Sequence, residues 1–313
     1  MLVAEGLKGR DLLALSDLTS AELRLLLDTA LEQKSAWAAG ARERPLDGLA
    51  IALVFEKPSV RTRVSFEVAC ARLGATPVVL SGPDSAFSRG ETVADTARVL
   101  ERYCDAIVLR TFEQAKVAEV AEVASVPVIN SLSDDHHPCQ GLADLLTIEE
   151  HLGGLSGRTL TYVGDGNNMA HTYLHGGALA GMNVRIATPV GFEPSAEVVA
   201  EALKIAAGTG ATISVTTDPG EAVDGTDIVA TDTWASMGQE AEHAARFASF
   251  IPFRVDASLM SRAAEGAIFL HCLPAHRGDE VTDEVIDADY SVVFDEAENR
   301  LHAQKALLTL LLS

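Results

Sequence analysis

Ala50-Ile51-Ala52-Leu53-Val54-Phe55-Glu56-Lys57-Pro58-Ser59-Val60-Arg61-Thr62-Arg63 carries an apolar strand directly into a helix start. Residues 50–55 read as a buried strand, Pro58 stops it, and Ser59 is placed to cap a helix over about Val60 to Leu73. The first turn of such a helix has unpaired backbone N–H groups and the positive end of the helix dipole, so it is a seat for an anion. Arg61 can fork onto two phosphate oxygens there. A plain capped helix with solvated arginines is the alternative, and the composition bears on that choice. The chain has 313 residues, with 24 Lys+Arg against 45 Asp+Glu and a formal net charge of -21. A surface so acidic repels nucleic acid and anionic lipid, so neither is an expected partner. An anionic substrate would need a local basic pocket, which directs attention to Arg61, Arg63, Arg110 and Arg300.

Outward from this junction, strands and helices alternate. Short apolar runs at Pro77–Leu80, Ala106–Arg110 and Pro127–Asn130 are separated by helical patterns at Thr92–Tyr103 and Gln114–Ala124. Thr19-Ser20-Ala21-Glu22 is a capping box ahead of Leu23, Leu26, Leu27, Ala30 and Leu31 at helical spacing. After Gly153-Gly154-Leu155-Ser156-Gly157, a second strand set follows at Thr159–Val163, Val184–Thr188, Thr212–Thr216, Ile228–Thr231 and Ile268–Leu270. The expectation is an α/β protein of two doubly wound parallel-sheet domains, at 1–150 and 151–313. A helix of about Gln140 to Leu152 would connect them, and a last helix, about 298–313, would pack back on the first.

Cys70, Cys104, Cys139 and Cys272 form no CxxC pair, which fits reduced thiols and a cytoplasmic protein. Neither an apolar signal core nor a run near the ~20 residues of a membrane helix is present.

In doubly wound sheets ligands collect beyond the carboxyl ends of the strands, and the unusual residues of this chain fall at such ends. Arg110 ends one strand. His137 and Gln140 lie just after another, where a neutral histidine donates to a carbonyl oxygen and a glutamine holds an amide. Gly164-Asp165-Gly166-Asn167-Asn168 begins like a dinucleotide fingerprint, but Met169 stands at the third glycine position and no acid follows the next strand. The asparagines suit an amino-acid head group better. Asp232 can hold an ammonium, while Ser236 and Gly238 suit a loop that closes over a site. His271, Cys272 and His276 raise the possibility of zinc. Adjacent His and Cys project apart, however, and no second ligand pair follows, so no metal is expected. His171 and His175 lack the glutamate of a zincin helix and read as structural.

Together these segments resemble the aspartate/ornithine carbamoyltransferase family over nearly the whole chain. Ser59-Val60-Arg61-Thr62-Arg63 is similar to its Ser-Thr-Arg-Thr-Arg motif, and His137-Pro138-Cys139-Gln140 to its His-Pro-x-Gln element. Asp232 with Ser236-Met237-Gly238, and His271-Cys272-Leu273-Pro274, resemble the ornithine branch. The resemblance implies that Ser59, the backbone of Val60, Arg61 and Thr62 bind the phosphate of carbamoyl phosphate, with Arg300 near its carbamoyl end. It implies that Arg110, His137 and Gln140, helped by the Leu273 carbonyl, hold and polarise the carbamoyl group. Asn168, Asp232, Ser236 and Met237 would bind L-ornithine, with Cys272 beside the reacting amine. Arg110, His137, Asp232 and Cys272 would be the catalytic set, with no cofactor, in a homotrimer or a multiple of one. Two positions depart from the family: Val60 replaces Thr, and Ala86 replaces a phosphate-binding Gln in the loop 82–91 that reaches a neighbouring subunit. Ser85 and Ser88 are the candidate substitutes. N-acylated ornithine, putrescine or aspartate as acceptor, a binding protein without turnover, and a nicotinamide enzyme are the alternatives.

Overall fold

The computed structural model describes residues 6–81, 91–234 and 243–313, with the side chains of 243–246 left aside. Two compact units divide the chain: residues 1–146 with 298–313, and residues 147–297.

In the first unit, α1 (Ser20–Ala38) begins with the expected capping box, where Thr19 and Glu22 satisfy each other's backbone N–H groups. There follow β1 (Ala50–Phe55), α2 (Val60–Leu73), β2 (Thr76–Ser81), α3 (Val93–Leu100), β3 (Ala106–Arg110), α4 (Gln114–Val123), β4 (Val128–Leu132) and α5 (Pro138–Leu152). The strands are parallel in the order β2-β1-β3-β4. Chain order reverses between β1 and β3, so the loops after these strands flank a switch point. Residues of β1 and β3 are buried along nearly their whole lengths, as a sheet covered on both faces requires. Ala52, Val54, Ile107, Leu109, Val117 and Val120 are part of one apolar cluster. Beyond β1, Ser59 caps α2 and its hydroxyl accepts from the Thr62 N–H at 3.2 Å.

The second unit carries β5 (Thr159–Val163), α6 (Asn168–Ala180), β6 (Asn183–Ala187), α7 (Ala196–Thr209), β7 (Ile213–Thr216), α8 (Pro219–Val223) and β8 (Ile228–Thr231). Then come α9 (His243–Phe250), α10 (Ala257–Met260), β9 (Ile268–His271), α11 (Asp283–Ile286) and α12 (Val293–Leu312). Its parallel sheet has the order β7-β6-β5-β8-β9, with the switch point between β5 and β8.

Helix α12 begins at Val293, five residues before the expected Glu298, and Asp295 and Glu296 complement the dipole of its first turn. Its later part belongs to the first unit, where the Gly9 N–H donates to the Leu311 carbonyl and Lys34 donates to Asn299. Strand limits moved by one or two residues because ladder pairing sets them. Thr231 pairs with His271, which extends β9, and Arg110 pairs with Leu132 past a register shift, which extends β4. Helix α3 starts one residue later and ends three residues earlier than its apolar pattern suggests. No helix among the described residues is long and apolar enough to cross a membrane.

Candidate active site

Four segments of the first unit gather at its switch point: the start of α2, the end of β3, the start of α5 and the first-unit part of α12. Arg300 ties three of them. It donates to the Gln140 side-chain oxygen at 2.7 Å and to the Thr62 hydroxyl at 3.1 Å. Gln140 in turn donates its amide to Asp144 at 2.7 Å, which fixes the direction of that amide. Arg300 is 3% exposed, so the surface i,i+4 pair open to it in the sequence is not what forms. Arg110 is buried at the last position of β3. Arg63, by contrast, lies exposed on α2 and pairs with Glu67 at 2.8 Å, as a surface pair. Val60 is exposed at the helix start, so its side chain is not needed inside.

His137 precedes α5, and its carbonyl accepts from the Gly141 N–H. Burial, and then the charges of Arg300, Arg110 and Arg61, hold its imidazole well below the usual histidine range. At neutral pH it is therefore a neutral ring able to donate one hydrogen bond, set among fixed cations. An anion here meets positive charge without any group having to change its protonation state.

The second unit builds its cluster from the ends of β5, β8 and β9. Asp232 follows β8, and its carboxylate accepts from the Thr233 N–H at 2.7 Å, the Cys272 thiol at 3.1 Å and the Asn167 amide at 3.4 Å. Asn167 caps α6 with its side-chain oxygen, which accepts from the N–H groups of Met169 and Ala170. The Tyr162 hydroxyl donates to that same oxygen at 3.3 Å. Burial, followed by the charge of Asp232, pushes Tyr162 well above the ordinary phenol range, so it stays a donor. The Asn167 amide is thereby held with its nitrogen toward Asp232. Neither Asn167 nor Tyr162 was singled out from the sequence for this role; the cap position of Asn167 was the available signal.

Gly166 explains the broken fingerprint in steric terms. A Cβ there would lie 2.3 Å from the Pro194 nitrogen and 2.5 Å from the Phe192 oxygen, so the glycine serves chain packing. Asn168 opens α6, and its carbonyl accepts from the Thr172 hydroxyl.

His271 is fully buried, and both its nitrogens are engaged. Nδ1 accepts from the Leu273 N–H at 2.9 Å, which leaves Nε2–H to donate to Glu280 at 3.1 Å. Glu296 accepts from the His271 N–H at 2.8 Å. These bonds pin the turn after β9, where Leu273 takes a φ of 56°, a conformation an L-residue adopts only under constraint. Asp232, His271 and Cys272 offer ligand atoms within 4.8 Å of one another, closer than the expected divergence of His271 and Cys272 allowed. His271 lends itself poorly to a metal even so, because binding one would break the hydrogen bond that holds Leu273. His276 is exposed and apart from this role.

Burial pushes the thiols of Cys70 and Cys139 up to about 12, which makes them unreactive. Cys272 is partly exposed and faces Asp232. His171 accepts from the Ser195 N–H, in keeping with a structural role. Ser236, Met237 and Gly238, together with Ser85, Ala86 and Ser88 of the 82–91 loop, lie outside the described residues.

A family model described as the aspartate/ornithine carbamoyltransferase carbamoyl-P binding domain matches residues 10–150. The companion model for the Asp/Orn binding domain matches residues 156–311. The chain is 55% identical over 306 residues to an ornithine carbamoyltransferase of Anoxybacillus flavithermus, covering 98% of each chain. It is 53% identical to that of Carboxydothermus hydrogenoformans, covering 97% of this chain and 98% of the relative. Among solved structures, an ornithine carbamoyltransferase from Pyrococcus furiosus superposes with a TM-score of 0.95 at 50% identity, over 97% of each chain. One from Gloeobacter violaceus gives 0.88 at 47% identity, over 98% of this chain and 99% of the other.

Proposed function

The chain belongs to the aspartate/ornithine carbamoyltransferase family, and we propose from that premise how its own residues move a carbamoyl group from carbamoyl phosphate to L-ornithine, giving L-citrulline and phosphate. The enzyme is an ornithine carbamoyltransferase in type. The observation that carries the division of labour is the contrast in charge: buried arginines around a neutral histidine in one unit, and a carboxylate with a thiol in the other. We assign carbamoyl phosphate to the 1–150 domain and ornithine to the 151–313 domain, with the final helix, about 298–313, serving the first.

In this reading Ser59, the Val60 N–H, Arg61 and Thr62 take the phosphate at the positive end of α2. Arg110, His137 and Gln140 hold the carbamoyl group, with Arg300 and the Leu273 carbonyl beside it. Ornithine arrives as an ammonium with a pKa near ~10.4, so fewer than about one molecule in a thousand carries the free amine at neutral pH. Asp232 and Cys272 receive that amine, and Asn168, Ser236 and Met237 hold the amino-acid end. The nitrogen lone pair attacks the carbamoyl carbon, and the carbonyl electrons move to its oxygen. Arg110 and His137 stabilise that oxyanion, a contribution of about 3 kcal/mol for each well-placed donor. The C–O bond to phosphate then breaks, Arg61 and the helix start receive the charge, and the departing phosphate takes the amine proton. No step needs a cofactor.

Citrulline and phosphate formation with ornithine, N-acetylornithine, putrescine and aspartate as competing acceptors tests the assignment. Turnover with ornithine at least 100-fold above the others is expected. Preference for N-acetylornithine or putrescine would move the specificity to the 82–91 loop. We assign the enzyme to the cytoplasm and to arginine biosynthesis, as a homotrimer or a multiple of one. Light scattering of the purified protein would overturn that assembly if it returned a monomer mass.

A further inference from the structure

Three segments of the first-unit site, the start of α2, the end of β3 and the start of α5, come at or after the ends of β1, β3 and β4. In the order β2-β1-β3-β4, β1 and β4 are not neighbours, so no ladder joins them directly. The β3–β4 ladder also shifts register between Leu109 and Arg110, at the end where the site lies. Backbone pairing alone therefore fixes the spacing of the α2 start, Arg110 and His137 only loosely.

The connector Glu56-Lys57-Pro58, between β1 and the Ser59 cap, supplies ties that the ladder lacks. The Glu56 N–H donates to the Arg110 carbonyl at 2.9 Å. Its carboxylate accepts from the Thr111 hydroxyl and from the Lys116 ammonium, the latter at 2.8 and 2.9 Å. Glu56 is thus bound at both ends to Arg110, the residue after it and the first turn of α4. Lys57 reaches further. Its ammonium lies 4.2 Å from the Phe112 ring centroid, just beyond β3, and donates to the Asp134 carboxylate, just beyond β4 and three residues before His137. The Asp134 N–H donates to the Phe112 carbonyl at 2.7 Å, so the two partners of Lys57 are fixed to each other. Lys57 is 4% exposed, whereas Phe112 and Asp134 are both exposed. The ring and the carboxylate therefore cover a buried ammonium, unlike the exposed ion pair of Arg63 and Glu67, and removing either partner leaves a buried charge uncompensated.

We propose that Glu56 and Lys57 are positioning residues for carbamoyl phosphate. Glu56 sets Arg110, and Lys57 through Asp134 sets His137, relative to the anion seat at Ser59–Thr62. Both roles rest on the assignment of carbamoyl phosphate to those residues, and neither Glu56 nor Lys57 has to touch the substrate.

Charge separates an anchor from a field. Glu56 and Asp134 are anions near a seat for an anion, so by their field alone they oppose its binding, and their removal would tighten it. As anchors they favour binding, and their removal loosens it, since a misplacement of about 1 Å can cost about 100-fold. The two effects have opposite signs.

The experiment uses the full chain and titrates it by calorimetry with phosphonoacetamide, in which a methylene replaces the bridging oxygen of carbamoyl phosphate. Kd should rise at least about fivefold in Glu56→Ala, in Lys57→Met and in Asp134→Ala. Lys57→Arg, which keeps a cation between ring and carboxylate, should stay within about threefold of the native value. The KM for ornithine at saturating carbamoyl phosphate should stay within about twofold throughout. Asp134 is exposed, so Asp134→Ala serves if Lys57→Met does not fold. Unchanged or tighter binding in folded Glu56→Ala and Asp134→Ala overturns the proposal. So does a loss of binding-competent protein with Kd unchanged, which a purely structural role would give. Arg61→Ala is the reference: if it binds as the native chain does, the seat itself is misassigned and the anchors fall with it. If Arg61→Ala weakens binding and the anchor variants do not, the anchoring alone is wrong.

Discussion

In the first unit, Arg61, Arg110 and Arg300 surround a histidine that burial keeps neutral. In the second, the Asp232 carboxylate is approached by a backbone N–H, a thiol and a side-chain amide, with Tyr162 orienting that amide from behind. One cluster is preset by permanent positive charge, the other by hydrogen bonds that position a negative group. On the proposed assignment the difference follows the substrates. A substrate that is an anion throughout the working pH range would be met by groups that do not titrate there, and one that must lose a proton by a carboxylate and a thiol.

Removing a cation from the first cluster should have the largest effect. Arg61→Ala is expected to lower kcat/KM for carbamoyl phosphate about 10³-fold, or about 4 kcal/mol, while ornithine-side substitutions leave carbamoyl-phosphate binding intact. Steady-state kinetics with each substrate varied in turn would check this. If both parameters fell equally for both substrates, the division between the units would be wrong.

Asp232→Asn should cost about 100-fold in kcat/KM for ornithine, with carbamoyl-phosphate binding unchanged by calorimetry. A loss confined to carbamoyl phosphate would reverse the assignment.

Protonation separates the units further. His175 on α6 is buried with Nε2 3.1 Å from Glu201, and burial pulls it down to about 4. A histidine lowered below its unfolded value of about 6.5 binds protons only after unfolding, so stability falls as pH drops below that value. Between pH 6.5 and 5 it should account for about 2 kcal/mol of lost stability, and His175→Gln should remove that slope in urea melts without altering turnover. His137 is lowered in the same direction, so its ring should stay neutral above pH 6.5 and leave carbamoyl-phosphate affinity flat from there upward. The value of kcat/KM for ornithine should instead rise about tenfold per pH unit over that range, following its free amine. A flat ornithine profile would mean that the enzyme itself takes the proton from bound ornithinium.

Tyr162→Phe is the smallest change. It removes the donor that orients Asn167, and ornithine KM should rise about threefold with kcat retained. An equal fall in both parameters would instead place Tyr162 nearer the reacting atoms.

Much of this was legible along the chain. The helix of about Val60 to Leu73 was readable, because Pro58 and Ser59 mark its start, and the structure gives it those bounds. Asp232 and Cys272 were each readable at a strand end, their pairing was implied by the family resemblance, and the two meet at 3.1 Å. Arg300 was legible as a candidate through motif resemblance, yet its neighbourhood was not. Its bonds to Thr62 and Gln140 span 238 and 160 residues.

What the sequence by itself determined is local: the alternation of strand and helix, the caps, the breakers, and the placing of chemical side chains at strand ends. Each depends on residues a few positions apart, whose steric and hydrogen-bonding preferences act before the chain is compact. Only the tertiary structure decided which ends meet. The sheet orders β2-β1-β3-β4 and β7-β6-β5-β8-β9 bring the ends of β1 and β3, and of β5 and β8, side by side. Burial then turned Arg300 from a surface candidate into a buried tie, and made His137 a neutral donor. Desolvation and the charge of distant neighbours are properties of a place in the fold, which no short stretch of sequence contains.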